Sequence, residues 1–425
     1  MSASRRGRNL GRPTRWASIA LAALTLAAIS GCADSSAGIS VPGVLIGTAD
    51  PTTQGGQLTP TPGPTVTPTA TPTPTPMPMP AAEAAAPCLA ASSSGPFLRT
   101  DGKSLTCAGQ SVNLTGFTFY PALLGGAKAW HDPGFAKYID HALDMGAAAG
   151  QNLIRATDQW DSNTPNQSAD DPVVWANMDH LLSAARTRGF FVVVDLSAFR
   201  WLLTSQGIDT NRADLWAGFA AKVAARYRTN PAVAYYSILG EPAPPTTAAQ
   251  LQSLLDFYRT TSDAIRAADP NHLITVGGFN HMEDHPELGW WQAIDALPGN
   301  DIVAVKTYSQ HDLDLMPAIA TYGRSAGKPV VDEEFGMPQG YGDAAFAGGA
   351  AYNGLATGRG PFFESVYRSG HDLGFAGFIF WNMGCQTGAT SYEVSPLTPA
   401  VWTVVVRNGA VQPAEPTSSD SSLCG

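Results

Sequence analysis

No glycine-rich phosphate loop follows the first strand-like run of this chain of 425 residues, "TGFTFYPALLGG". That absence argues against an open sheet built around a nucleotide or dinucleotide. Charge is also scarce, at 14% of residues, and bases are scarcer than acids. Residues 1–31 hold Arg5, Arg6, Arg8, Arg12 and Arg15 and no acid, so the remainder sets 20 bases against 35 acids. That balance argues against nucleic acid or an anionic membrane surface as the main partner and is compatible with a neutral polymer. The apolar run Ala17–Ile29 is too short to span a bilayer.

What is there at the N-terminus reads as an address. An Arg-rich stretch leads into that apolar run and then into "AAISGC", the form of a bacterial lipoprotein signal with Cys32 as the lipidated residue. Five cysteines are odd for an exported chain, and lipidation of Cys32 leaves Cys88, Cys107, Cys385 and Cys424 for two disulfides. Three pairings are open; a separation of 19 residues favours Cys88–Cys107. Residues 58–80, "LTPTPGPTVTPTATPTPTPMPMP", are almost entirely Pro and Thr and predict an extended spacer. At ~3.1 Å per residue it reaches on the order of 70 Å. The expected organisation is a signal peptide over 1–31, a flexible linker over 32–87 and a head over 88–425. Such a head would be extracytoplasmic, held at the cell surface, touching the membrane only through its lipid.

Beyond residue 96 short apolar runs alternate with segments of helical period. Strands are predicted at Val112–Phe117, Asn152–Ala156, Phe190–Leu196, Val233–Leu239, Leu273–Val276, Ile302–Val305, Val330–Asp332 and Phe375–Trp381. Helices are predicted at Phe135–Met145, Val173–Arg188, Arg212–Tyr227, Ala248–Ala268, Leu315–Tyr322 and Pro361–Asp372. Eight strands separated by helices predict an α/β fold, a (β/α)8 TIM barrel. Ahead of it, "FLRTDGKSLTCAGQSVNLTG" reads as a β-hairpin turning at Asp101-Gly102, a cap for the barrel's lower mouth.

Barrel sites form at the C-terminal ends of the strands. There "YYSILGEP" places Glu241 after the fourth strand, and "KPVVDEEFG" places Asp332, Glu333 and Glu334 at the end of the seventh. Two carboxylates on one barrel face are the equipment of glycoside hydrolysis, one as proton donor and one to attack or to activate water.

Residues 97 to about 405 resemble glycoside hydrolase family 5 and its clan A relatives, the cellulase and β-mannanase type of barrel. The matching segments are "NPAVAYYSILGEP", "KPVVDEEFG", "NLIRAT", "VAVKTYS", "GFIFWNM" and "GQSVNLTGFTFY". The resemblance implies a retaining hydrolase of β-linked polysaccharide (β-mannan or β-glucan type), with no cofactor or metal and acting as a monomer. It implies Glu241 as acid/base and Glu334 as nucleophile, Arg155 and Tyr308 beside the nucleophile, and Trp381 as a sugar platform. Four positions depart from the family pattern: Gly240 stands for Asn, Lys306 for His, Ser197 for His and Thr118 for Asn. Lys306 and Ser197 therefore join the expected substrate contacts. The alternative is a carbohydrate-binding lipoprotein that keeps the barrel without its chemistry.

Trp160, Trp201, Trp290 and Trp291 follow strand ends or lie in loops, where a ring can stack on sugar; Trp160 is the one expected in the site. "HMEDH", residues 281–285, spaces two His four apart, but Pro286 follows directly and a loop is expected there rather than a metal-binding helix.

Overall fold

The computed structural model describes residues 86–411 and 421–424, apart from 91–94, 122–123, 125, 158, 161–170, 198–202, 205–206 and 209–212. The signal-like segment, Cys32, the Pro/Thr-rich spacer and Trp201 lie outside the described residues.

Eight parallel strands form the centre: β1 (Leu114–Phe119), β2 (Leu153–Ala156), β3 (Phe191–Asp195), β4 (Val233–Ser237), β5 (Leu273–Thr275), β6 (Val303–Thr307), β7 (Val330–Phe335) and β8 (Gly377–Phe380). Every residue in them is buried, as strands covered on both faces require. Their order is β5-β4-β3-β2-β1-β8-β7-β6. The free edges of β5 and β6 meet through a parallel bridge between Phe279 and Val305. Phe279 N–H donates to Ala304 O at 3.3 Å and Lys306 N–H to Phe279 O at 2.9 Å. This closes the expected (β/α)8 barrel.

One helix follows each strand: α1 (Ala136–Ala148), α2 (Pro172–Thr187), α3 (Ala213–Tyr227), α4 (Ala248–Ala268), α5 (Trp290–Asp295), α6 (Gln310–Ala326), α7 (Arg359–Leu373) and α8 (Pro399–Arg407). Their ends follow local chemistry. Asp171, Thr247 and Ser309 cap α2, α4 and α6 by accepting from Val173, Gln250 and Asp312 N–H. Gly327 and Gly374, at φ 66° and 80°, end α6 and α7 in the left-handed conformation.

The hairpin pairs Leu98–Asp101 with Ser104–Cys107 and turns at Gly102, φ 56°. Arg99 Nη1 donates to Asn271 O at 2.5 Å, and Phe97 packs edge-on against His272. Both partners immediately precede β5, so the hairpin covers the strand starts. Cys88–Cys107 and Cys385–Cys424 are the two disulfides.

Candidate active site

The strand ends opposite the hairpin carry the charged residues. On β7 the pairing with β6 runs Val305 to Asp332 and then Lys306 to Glu334, leaving Glu333 as an extra residue. The pairing with β8 is broken over the same stretch. Such a bulge bends the strand and re-aims its side chains. Asp332 accepts from Thr307 Oγ1 at 2.7 Å, while Glu333 accepts from Gly278 N–H at 2.6 Å. Glu334 projects at the mouth.

Glu334 is the focus of the site, although only 6% exposed. Its Oε1 accepts from the Tyr308 hydroxyl at 2.6 Å. Its Oε2 meets Arg155 Nη1 at 2.5 Å and Lys306 Nζ at 2.9 Å. Burial alone would push this carboxyl up; the charges of Lys306 and Arg155, with the Tyr308 hydrogen bond, overcome that and hold it down to about 2. Burial and the neighbouring Glu334 charge push the Tyr308 phenol well above its ordinary range, so it stays a donor. Arg155 is braced by Asp195 at 2.6 Å, and Asp195 in turn accepts from Ser197 N–H and Oγ. Glu333 is fully buried, and burial pushes it up despite the opposing charge of Arg155.

Glu241 differs. Its backbone has φ 54°, a left-handed conformation uncommon for a residue with a Cβ. That turn carries the carboxyl out of the barrel wall, and its side chain is 35% exposed rather than buried like the strand before it. Asn280 Nδ2 donates to its Oε1 at 3.0 Å, and Lys306 Nζ lies 3.5 Å from its Oε2. Gly240 makes room for this lysine. A Cβ at position 240 would stand 3.2 Å from Lys306 Cε and 3.3 Å from Nζ.

The sequence-expected Glu241, Glu334, Arg155, Tyr308 and Lys306 thus converge at one mouth. Trp381 stands half-buried at the end of β8 with Tyr120 stacked on it, centroids 5.6 Å apart. Ser197 is instead buried, its hydroxyl engaged by Asp195 rather than open to a ligand. Trp160, 2% exposed, packs on Trp175 and Phe219, which corrects the expectation of a sugar platform. Trp290 and Trp291 are also buried; they belong to α5, where their rings pack on Phe279 and Tyr322. "HMEDH" is a turn, with His281 and His285 both at positive φ. Asp195 and Asn280 were not singled out from the sequence. Asp195 ends an apolar run, "FVVVD", as Glu334 nearly does, and that was its signal; Asn280 follows "GGF" and has none.

The profile of the cellulase family, glycosyl hydrolase family 5, matches residues 105–349. No curated protein matches the chain. Among solved structures it resembles the endo-1,4-beta-D-mannanase of Thermotoga petrophila RKU-1, at 15% identity and TM-score 0.54, covering 70% of this chain and 99% of that one. The endo-1,4-beta-mannanase of Rhizomucor miehei matches at 17% identity and TM-score 0.56, covering 74% and 98%. The family 5 mannosidase of the same organism matches at 14% and 0.54, covering 74% and 97%. At these identities the structural likeness is one of fold, whereas the profile covers more than half of the chain and meets the converged carboxylates at the barrel mouth. The chain belongs to glycosyl hydrolase family 5 and is a glycoside hydrolase.

Proposed function

We propose that this protein hydrolyses a β-linked polysaccharide, of β-mannan or β-glucan type, with retention of configuration. Glu334 attacks the anomeric carbon while Glu241 protonates the leaving oxygen; Glu241 then takes a proton from the water that releases the sugar. One observation carries the choice of retention. Lys306 Nζ reaches Glu334 Oε2 at 2.9 Å and Glu241 Oε2 at 3.5 Å. Contact of both carboxylates with one ammonium brings them close together, as a retaining pair requires. The depressed Glu334 carboxyl supports its role as the ionised partner. The half-exposed Glu241 has room for an incoming glycosidic oxygen. Tyr120 and Trp381 offer an aromatic surface on the same barrel face, Trp381 following the strand that pairs with β7.

The mannanases among the similar folds favour β-mannan as the first substrate to try. In the same reading the head is an exported lipoprotein anchored through Cys32; two disulfides that use the other four cysteines support an oxidising location.

The test is sugar release from mannan, cellulose, mixed-linkage glucan and xylan, with anomeric configuration followed by NMR. Glu334→Ala should lose all turnover. Glu241→Ala should keep turnover on aryl glycosides with good leaving groups and gain rate with azide. Inverted product would refute the double displacement. Oligosaccharide binding without any turnover, abolished by Trp381→Ala, would give the case to the carbohydrate-binding alternative.

A further inference from the structure

Lys306 is 2% exposed at the end of β6, yet its ammonium touches both carboxylates of the site. The groups around it come from every neighbouring element. Glu241 faces it from the loop after β4, Glu334 and Glu333 from β7, Arg155 from β2 with Asp195 of β3 behind it, and Tyr308 from just past the end of its own strand. Arg155 reaches Glu334 but is not within ion-pair distance of Glu241. Among the described residues, Lys306 is the one cation paired with both. The missing side chain at Gly240 and the close approach of Gly278 to the lysine stem leave the ammonium in a fitted slot.

The proposed reaction moves one negative charge between those two carboxylates. In the first step the Glu334 carboxylate forms a bond to the anomeric carbon, the bond to the leaving oxygen breaks, and that oxygen takes the Glu241 proton. Glu334 is then a neutral ester and Glu241 an anion. In the second step water adds to the anomeric carbon and gives its proton to Glu241, while the ester bond breaks and returns the charge to Glu334. We infer that Lys306 is a fixed counter-ion that serves both carboxylates in turn, pairing with Glu334 in the resting enzyme and with Glu241 in the glycosyl-enzyme. The assignment rests on the two-glutamate reading above. A cation in this place favours the charged form at both ends of the transfer, so it sets the pH range of both steps together.

The test uses the free protein, so that it is separable from the activity. Glutamate carboxyls are labelled with ¹³C and titrated by NMR, with Glu241 and Glu334 assigned through their Gln variants. Lys306→Met should move both titrations upward, the direction expected on losing an opposite charge at contact range. Lys306→Arg, which keeps the charge, should move them less and serves if the Met variant does not fold. On whichever glycan the parent hydrolyses, both limbs of the kcat/KM profile of Lys306→Met should shift upward. Gly240→Asn, which crowds the ammonium, should lower turnover tenfold or more. A shift of Glu334 alone, or loss of activity with both titrations unmoved, would overturn the assignment. Shifted titrations in a protein that cleaves no glycan would leave the shared counter-ion standing and refute the hydrolytic mechanism instead.

Discussion

Glu334→Gln keeps the size of the side chain and removes the charge on which Tyr308, Arg155 and Lys306 converge. Its carboxyl lies at about 2 in the fold against an ordinary 4.5, so folding favours the ionised form. That contribution is complete above the ordinary range and fades as pH falls from about 4.5 towards 2. In the variant, Arg155 and Lys306 also lose a buried partner. Melting temperatures of parent and variant should therefore differ most near neutral pH and converge towards pH 2. A gap that stays constant across the range would show that the charge is not what the fold uses. Gly240 belongs to the same arithmetic of space, since its bare backbone lets a lysine stand where another side chain would stand.

At the scale of elements, the hairpin and the chain end are each held by a disulfide. Cys88–Cys107 closes a separation of 19 residues and Cys385–Cys424 one of 39. On the chain-entropy account these contribute ~3 and ~4 kcal/mol. Replacing either pair by Ala should lower the melting temperature and leave the pH profile of hydrolysis in place, because neither touches the carboxylates. A changed profile would mean that the staples also position the site. Elements with strong local signals are legible in the sequence: α4 matches at both ends, and the barrel strands fall within about two residues of their predicted starts. Where the reading stopped short, a charge interrupted an apolar run. The apolar runs predict that β6 ends at Val305 and β7 at Asp332, yet both continue, because Lys306 and Glu334 pair with one another, Arg155 pairs with Glu334, and Glu333 accepts from the Gly278 N–H. Tertiary pairing, invisible in a single run, makes those residues tolerable inside a barrel. α5 has six residues and α8 is rich in β-branched valine, so neither carries a helical pattern long enough to read. The same limit explains Trp160, whose ring packs on Phe219, a partner distant in sequence.

For the whole molecule, the address and the barrel predict separable behaviour. A Cys32→Ala variant should be recovered in soluble form where the parent partitions with membranes, with equal activity per molecule, since the converged residues all lie between Tyr120 and Trp381. Equal partitioning of both would refute the lipid anchor. The barrel also has one thin join. Between β5 and β6 no continuous ladder forms: at the site end the join is the Phe279 bridge with its two backbone hydrogen bonds, and at the other end Ile274, Thr275 and Val276 bond to Asn300, Asp301 and Ile302, partly through side chains. That join runs through the site itself: Asn280 sits directly beyond the bridge on one side, and Lys306 donates its own amide to it on the other. A cylinder opens first along its weakest seam, so the amides of Phe279 and Lys306 should exchange with deuterium earlier than those of the other barrel strands. A sugar chain lying from Glu241 across to Glu334 would act as a suture over that line, and oligosaccharide should slow exchange there more than anywhere else in the wall. Uniform slowing around the barrel would show that the seam and the site are independent.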